Sequence, residues 1–282
     1  MLNVKKTLRR RGLAPKKKLG QNFLVHRETT ARIVRLAGVN ENDTIVELGV
    51  GLGSLTGPLA EQAAKVIGLE IDRGIIGWHE DEGGLADNVT LIHQDLLRAD
   101  FRKLAEKCGG RLKIMANLPY SISNPLLFKL IENRDIMEWA VLMLQKEVGM
   151  RLQAQASTKE YGVLSVLLGG CADVEILMHV GPGQFHPRPK VDSVVSRIRF
   201  HPQPARAAKL PPYNETLLRQ IVNAGFQKRR KTLVNGLASS SLFSFSKMEI
   251  SDALKKIGLA PDIRPERLSI EDFVGLTLEL SS

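Results

Sequence analysis

The segment Met115 to Ser123, M-A-N-L-P-Y-S-I-S, holds the residue types best suited to chemistry. An apolar run ends there in Asn117-Leu118-Pro119-Tyr120, so an amide oxygen, a stiff turn and an aromatic face stand side by side. Those parts suit a planar base with an exocyclic amino group, because the amide accepts from the amine while the ring covers the base. Pro119 lacks an N–H, fixes its own φ and biases Leu118 away from helix, which lets backbone carbonyls near Asn117 point outward. The same four residues also suit a strand-ending turn with a packed tyrosine, so context has to decide.

The context is a series of strand ends. Thr44–Leu48 runs into E-L-G-V-G-L-G-S-L-T, with Gly49, Gly51 and Gly53 at every second position. Glycines at a strand-to-helix turn let the backbone approach a ligand closely, and Ser54 can open the following helix. A dinucleotide fingerprint places its third glycine one residue later, so this spacing leans away from that class. Glu70 ends the next strand 21 residues after Gly49, where an acid can accept both hydroxyls of a ribose. A surface carboxylate beside Asp72 is its plainer reading. Asp95 follows the third strand in I-H-Q-D-L, placed to accept from an adenine amino group. Gly49, Glu70, Asp95 and Asn117 thus fall on four successive strand ends, the edge where open α/β sheets bind ligands.

The elements that must hold them follow from the apolar pattern. Short apolar strands at 44–48, 65–70, 89–92, 112–116 and 139–144 alternate with helix-like segments, the signature of an α/β sheet with crossover helices. Two further strands, 174–180 and 194–200, alternate apolar with polar positions around a Gly/Pro-rich loop and read as an antiparallel edge pair. Residues 201–212 carry four prolines and read as a linker. Beyond it, 213–237 and 251–257 have helical spacing, with Ser251 and Asp252 as candidate caps, and a Ser-rich loop lies at 239–246.

Bulk properties set the partners. The chain has 282 residues and a net charge of +10, unevenly spread. Residues 1–18 hold Lys5, Lys6, Arg9, Arg10, Arg11, Lys16, Lys17 and Lys18 with no acid. Residues 205–282 have 12 basic and 8 acidic side chains, including Lys228, Arg229, Arg230 and Lys231, which leaves 19–204 at −2. A near-neutral body between two basic parts fits a polyanion, because cations near phosphates release counterions. A solvated tail or a transit peptide is the alternative for the arm. Cys108 and Cys171 share no ligand spacing, and the six histidines form no ligand cluster, so no metal is expected. The longest apolar stretch, 163–172, is too short to span a bilayer.

The four strand ends resemble those of S-adenosylmethionine-dependent methyltransferases, and N-L-P-Y resembles the motif of enzymes that methylate exocyclic amines. K-L-G-Q-N-F-L (18–24), E-L-G-V-G-L-G-S-L-T (47–56), L-E-I-D-R (69–73), N-L-P-Y-S-I-S (117–123), F-H-P-R-P-K-V-D-S-V-V (185–195) and F-Q-K-R-R-K-T-L (226–233) narrow the likeness. Together they resemble the ribosomal RNA adenine dimethyltransferase family in its bacterial small-subunit branch. The resemblance implies an α/β fold: a basic arm over 1–18, a Rossmann-like methyltransferase domain over 19–204 and a small helical domain over 205–282. It implies dimethylation at N6 of two adjacent adenosines in the 3′-terminal hairpin of small-subunit rRNA, with S-adenosyl-L-methionine as cofactor.

Matched position by position, the cofactor contacts are Asn22, Leu24, Gly49, Glu70, Asp95 and Asn117, and Gly51 joins them from the glycine turn. Asn117 Oδ1 and the Leu118 carbonyl are expected to accept from N6, and Tyr120 and Phe185 to flank the base. Gln21, Asn22 and Phe23 are expected to close over the ligands. Arg9, Arg10, Arg11, Lys16, Lys17, Lys18, Lys228, Arg229, Arg230 and Lys231 are the expected RNA contacts. Ser121 departs from the family pattern, which has Asn there. The expected partner is small-subunit rRNA or its precursor particle, with no membrane role, a cytoplasmic location and a monomer as default. Rival readings are a large-subunit rRNA adenine methyltransferase of the macrolide-resistance type, a non-catalytic assembly factor on the same scaffold and a DNA adenine methyltransferase.

Overall fold

A computed structural model describes residues 20–82, 84–201, 210–228 and 231–281. The expected RNA contacts Arg9, Arg10, Arg11, Lys16, Lys17, Lys18, Arg229 and Arg230, and most of the proline-rich linker, lie outside the described residues. The chain divides into two compact units. One comprises residues up to Gly149 with Val174–Phe200, and the other Met150–Asp173 with His201–Ser282. The stretch 150–173 therefore packs with the C-terminal residues, an excursion that has no counterpart in the contiguous 19–204 block expected above.

The first unit is built on a seven-stranded sheet. In chain order its strands are β2 (Thr44–Leu48), β3 (Lys65–Glu70), β4 (Val89–His93), β5 (Leu112–Asn117), β6 (Met137–Gln145), β7 (Ala172–Val180) and β9 (Ser193–Phe200). Their spatial order is β4-β3-β2-β5-β6-β9-β7. The pairings from β4 to β6 are parallel, and β9 runs antiparallel to β6. Parallel strands covered on both faces read as unbroken apolar runs, and Ile45, Val46, Val66, Ile114 and Leu142 are all fully buried. Helices Thr56–Gln62, Arg73–Glu82, Phe101–Cys108 and Ser123–Glu132 make the crossovers.

The order of strands reverses between β2 and β5, which leaves a crevice beyond their carboxyl ends. A separate two-stranded ribbon lies in the same unit. Its strands β1 (Phe23–Leu24) and β8 (Phe185–His186) pair antiparallel, with Leu24 opposite Phe185.

The second unit is helical, with a core of Tyr161, Val166, Leu218, Ile221, Leu254 and Phe273. The apolar run noted at 163–172 supplies its helix Val163–Gly169. The expected continuous helix over 213–237 is two, Glu215–Gln227 and Leu233–Ala238, the second opened by the Thr232 side chain. The helix expected at 251 begins earlier, at Lys247. Ser246 caps it and Glu249 completes a capping box, which satisfies N–H groups that Ser251, already inside the helix, cannot reach. Among the described residues no helix is long and apolar enough to cross a membrane.

Candidate active site

All seven expected cofactor residues meet at one cavity of about 270 Å³ beyond the strand ends. Gly49, Gly51, Glu70, Asp95 and Asn117 come from the sheet edge, and Asn22 and Leu24 from the N-terminal strap. Four ends of parallel strands deliver the first group because parallel register stacks their carboxyl termini at one level.

The glycine turn is shaped by its neighbours. Gly51 has φ +53°, which strains any other residue, and a Cβ there would crowd the Phe23 ring at 3.1 Å, so conformation and space both favour glycine. Its N–H donates to Glu70 Oε2 at 2.9 Å. Its carbonyl meets His79 Nε2 at 2.8 Å, and a carbonyl only accepts, so Nε2 carries the proton. His79 Nδ1 is buried with no hydrogen-bond partner. Burial pushes the imidazole below its ordinary value, against the opposing pull of the Gly51 carbonyl. The ring is therefore neutral and holds the turn as a donor.

Glu70 is fixed by three backbone donors. Oε1 accepts from Ile71 and Asp72, each at 2.8 Å, and Oε2 from Gly51. Its lone pairs exceed these bonds, so it can still accept from a ligand hydroxyl. Asp95 Oδ1 accepts from the Leu97 N–H at 2.9 Å. Glu47, deeper in the same wall, is 1% exposed, and its Oε2 makes no hydrogen bond within the protein. Burial pushes its carboxyl up to about 8; the nearby Thr56 hydroxyl works against this and the charge of Glu70 adds to it.

The strap Gln21–Leu24 is tied down at several points. Gln21 Nε2 donates to Asp72 Oδ2 at 3.3 Å, Asn117 Nδ2 donates to the Asn22 carbonyl at 3.0 Å, and Ser54 Oγ donates to the Leu24 carbonyl at 2.8 Å. Asn117 therefore turns its NH₂ to the strap and keeps Oδ1 as the acceptor end.

The expected base-side residues Leu118, Tyr120 and Phe185 do not line this cavity, although Leu118 and Tyr120 adjoin its lining residues Asn117, Pro119 and Ser121. Leu118 is buried. Tyr120 is half-buried, in a short 3₁₀ turn, with its hydroxyl 2.7 Å from Ser193 Oγ. Phe185 is 4% exposed and packs in an apolar cluster that includes Leu24 and Ile33, with Met178 against it. That packing removes the ring from water, and it presents no open face to a base. Among the expected RNA contacts in the second unit, Lys228 and Lys231 are exposed, and Lys228 Nζ donates to Ser239 Oγ at 3.0 Å.

Charge identifies what the cavity accepts. Its lining holds the carboxylates of Glu70 and Asp95 beside the buried, protonated Glu47, and no Lys, Arg or His, within a chain of net charge +10. Such a wall suits a cation with hydroxyl and amino donors and disfavours a phosphate-bearing dinucleotide. The space beside Gly49, where a Cβ would meet nothing within 4 Å, leaves the backbone open to close approach.

Comparison with known proteins agrees with this chemistry. A sequence profile described as "Ribosomal RNA adenine dimethylase" matches residues 12–281. The chain belongs to that family. It is 53% identical to the "Ribosomal RNA small subunit methyltransferase A" of Desulfotalea psychrophila, over 96% of this chain and 92% of the relative. Identity to the protein of that name in Geobacter metallireducens is 41%, over 96% and 97% of the two chains. Among solved structures, a dimethyladenosine transferase from Plasmodium falciparum superposes with a TM-score of 0.74 at 26% identity, covering 92% of this chain and 97% of that one. The 23S rRNA methyltransferase ErmE shares the fold, with a TM-score of 0.63 at 23% identity over 92% and 100% of the two chains.

As a ribosomal RNA adenine dimethylase, the protein is an S-adenosyl-L-methionine-dependent enzyme that methylates rRNA adenine. The cavity's donor set fits that cofactor: acids for its cationic and hydroxyl groups, glycine backbone for its approach. Glu47 and His79 are the site residues that sequence reasoning missed. Glu47 stood in view inside E-L-G-V-G-L-G, where a single acid in an apolar strand is the usable signal. His79 carried none, since its partner is 28 residues away.

Proposed function

We propose that the protein dimethylates N6 of two adjacent adenosines in the 3′-terminal hairpin of small-subunit rRNA, as a monomer acting in the cytoplasm on a precursor particle. The observation that carries this reading is Asn117, whose amide is fixed by Asn22 in the wall of a cavity suited to a cationic cofactor. The names of the bacterial relatives support the small subunit over the large. The same groups argue against a scaffold that has lost catalysis, because Glu70, Asp95 and Asn117 line the cavity together.

When bound, S-adenosylmethionine supplies a methyl group already activated on a sulfonium. The chain's work is alignment. Adenine N6 is a poor nucleophile because its lone pair is delocalised into the ring. In this reading Asn117 Oδ1 and the Leu118 carbonyl accept hydrogen bonds from its two N–H groups and draw the nitrogen towards tetrahedral geometry, and Glu70 and Asp95 hold the nucleoside end of the cofactor. Tyr120 supplies the stacking surface, worth about 1–3 kcal/mol per base. For Phe185 the reading is a supporting one, since its ring is committed to the cluster behind Leu24.

No general base is required of the chain, as the proton leaves an already cationic amine. After the first transfer N6 keeps one hydrogen, so the second proceeds with one acceptor idle. The target must come from an unpaired loop or be turned out of its stack. Lys228 and Lys231, with the arm and the neighbouring arginines, contact phosphates in this reading.

The test is to incubate the protein and methyl-labelled cofactor with small-subunit particles, large-subunit rRNA and DNA in separate reactions. Label confined to the small-subunit particles supports the reading. Label in either other substrate at comparable rate overturns it.

A further inference from the structure

The motif Lys190-Val191-Asp192-Ser193 has no part in the chemistry described so far. Its last residue is fully buried and opens β9 opposite Gln145. The Asp192 carbonyl accepts from the Lys146 N–H at 2.9 Å. The next residue, Val194, packs so tightly that a Cβ on Gly149 would fall 2.2 Å from its Cγ2. Ser193 is thus held at both sides by the sheet. Its hydroxyl lies 2.7 Å from that of Tyr120, 73 positions away in the chain.

Tyr120, by contrast, sits on a three-residue 3₁₀ turn just after Pro119. Its ring is half-buried, and a base stacked on a ring moves with that ring. We infer that Ser193 is a positioning residue for the target adenosine, acting through Tyr120. One hydroxyl donates and the other accepts, which ties the far end of the ring to the rigid start of β9. This inference rests on the base-stacking role given to Tyr120 above. It adds the residue that sets where the stacked base lies relative to Asn117, where an error of about 1 Å costs much of the rate.

A double-mutant cycle on small-subunit particles tests it. Ser193→Ala and Tyr120→Phe each delete one hydroxyl and keep the ring. Each is expected to lower kcat/KM for the RNA about three- to tenfold, the scale of one neutral hydrogen bond. The double variant is expected to be no worse than either single one. KM for the cofactor stays at the wild-type value, and the melting temperature of each single variant falls by no more than the loss of one hydrogen bond implies, which separates positioning from general destabilisation.

Ser193→Ala within twofold of wild type, losses that multiply in the double variant, or a matching rise in cofactor KM would each overturn the inference. A control with Tyr120→Ala tells the two failures apart. If that variant keeps wild-type turnover, the base-stacking reading itself is wrong. If it loses turnover while Ser193→Ala does not, only the role of Ser193 falls.

Discussion

Asn117 Nδ2 donates to the Asn22 carbonyl at 3.0 Å, and this bond fixes the sense of the Asn117 amide. The backbone oxygen can only accept, so the NH₂ faces the strap and Oδ1 is the acceptor left to the site. The strap that lines the cavity and the group proposed to receive the adenine amine are therefore coupled through one hydrogen bond.

Asn117→Ala is expected to lower kcat by about 10²–10³-fold, the scale seen when one preorganised transition-state partner is removed. Asn117→Asp keeps an acceptor but sets a carboxylate against the Asn22 carbonyl, so cofactor affinity falls as well. Filter binding of RNA should be unchanged in both. Steady-state methylation with each substrate varied in turn reads the difference.

Tyr120→Ala removes the proposed stacking surface and is expected to cost about 5- to 150-fold in kcat/KM for RNA. Cofactor binding, measured by calorimetry with S-adenosylhomocysteine, should stay at the wild-type value because Tyr120 does not line the cofactor cavity.

His79→Leu removes the donor to the Gly51 carbonyl while keeping an apolar side chain beside Trp78 and Gly53. KM for the cofactor is expected to rise about two- to tenfold, with KM for RNA unmoved. His79→Gln, whose amide can donate to the same carbonyl, should recover most of the loss. Equal defects in the two variants would contradict the donor role.

Glu47 gives stability an unusual pH dependence. Its carboxyl titrates at 4.5 when unfolded and at about 8 when buried. Between those values the folded state holds a proton that the unfolded state has released, so stability falls as pH rises, by up to about 1.4 kcal/mol per unit. Glu47→Gln is expected to flatten this slope and to be the more stable form near the upper limit. Urea denaturation of the cofactor-free protein across that window checks it; parallel slopes would contradict it.

Much of this architecture was legible in the sequence. The inner parallel strands are largely buried on both faces, so they appear as apolar runs, while the edge strand β4 is not buried; the strand ends at Gly49, Glu70, Asp95 and Asn117 carry residues no core would choose. What remained hidden depends on tertiary partners. The run 163–172 looks the same whether it joins a sheet or a helical core, and only its packing with Leu218 and Phe273 places it. Phe185 lies in a motif that promises a base contact, yet pairing opposite Leu24 draws its ring into the core. Ser246 closes a Ser-rich run and the sequence offers caps of the same chemistry at Ser251 and Asp252, so only the fold shows which one opens the helix.

RNA affinity should fall steeply with salt, since phosphate contacts release counterions. Replacing Lys228 or Lys231 with Gln is expected to reduce the slope of log affinity against log salt by about one per residue and to weaken binding evenly across RNA sequences. An unchanged slope would remove that residue from the interface.

The central claim is tested most directly by digesting the 3′-terminal fragment of small-subunit rRNA after reaction and identifying its nucleosides by mass spectrometry. The account predicts N6,N6-dimethyladenosine at two adjacent positions of the hairpin and no other methylated nucleoside. Methylation at a different base, or none in that hairpin, would contradict it.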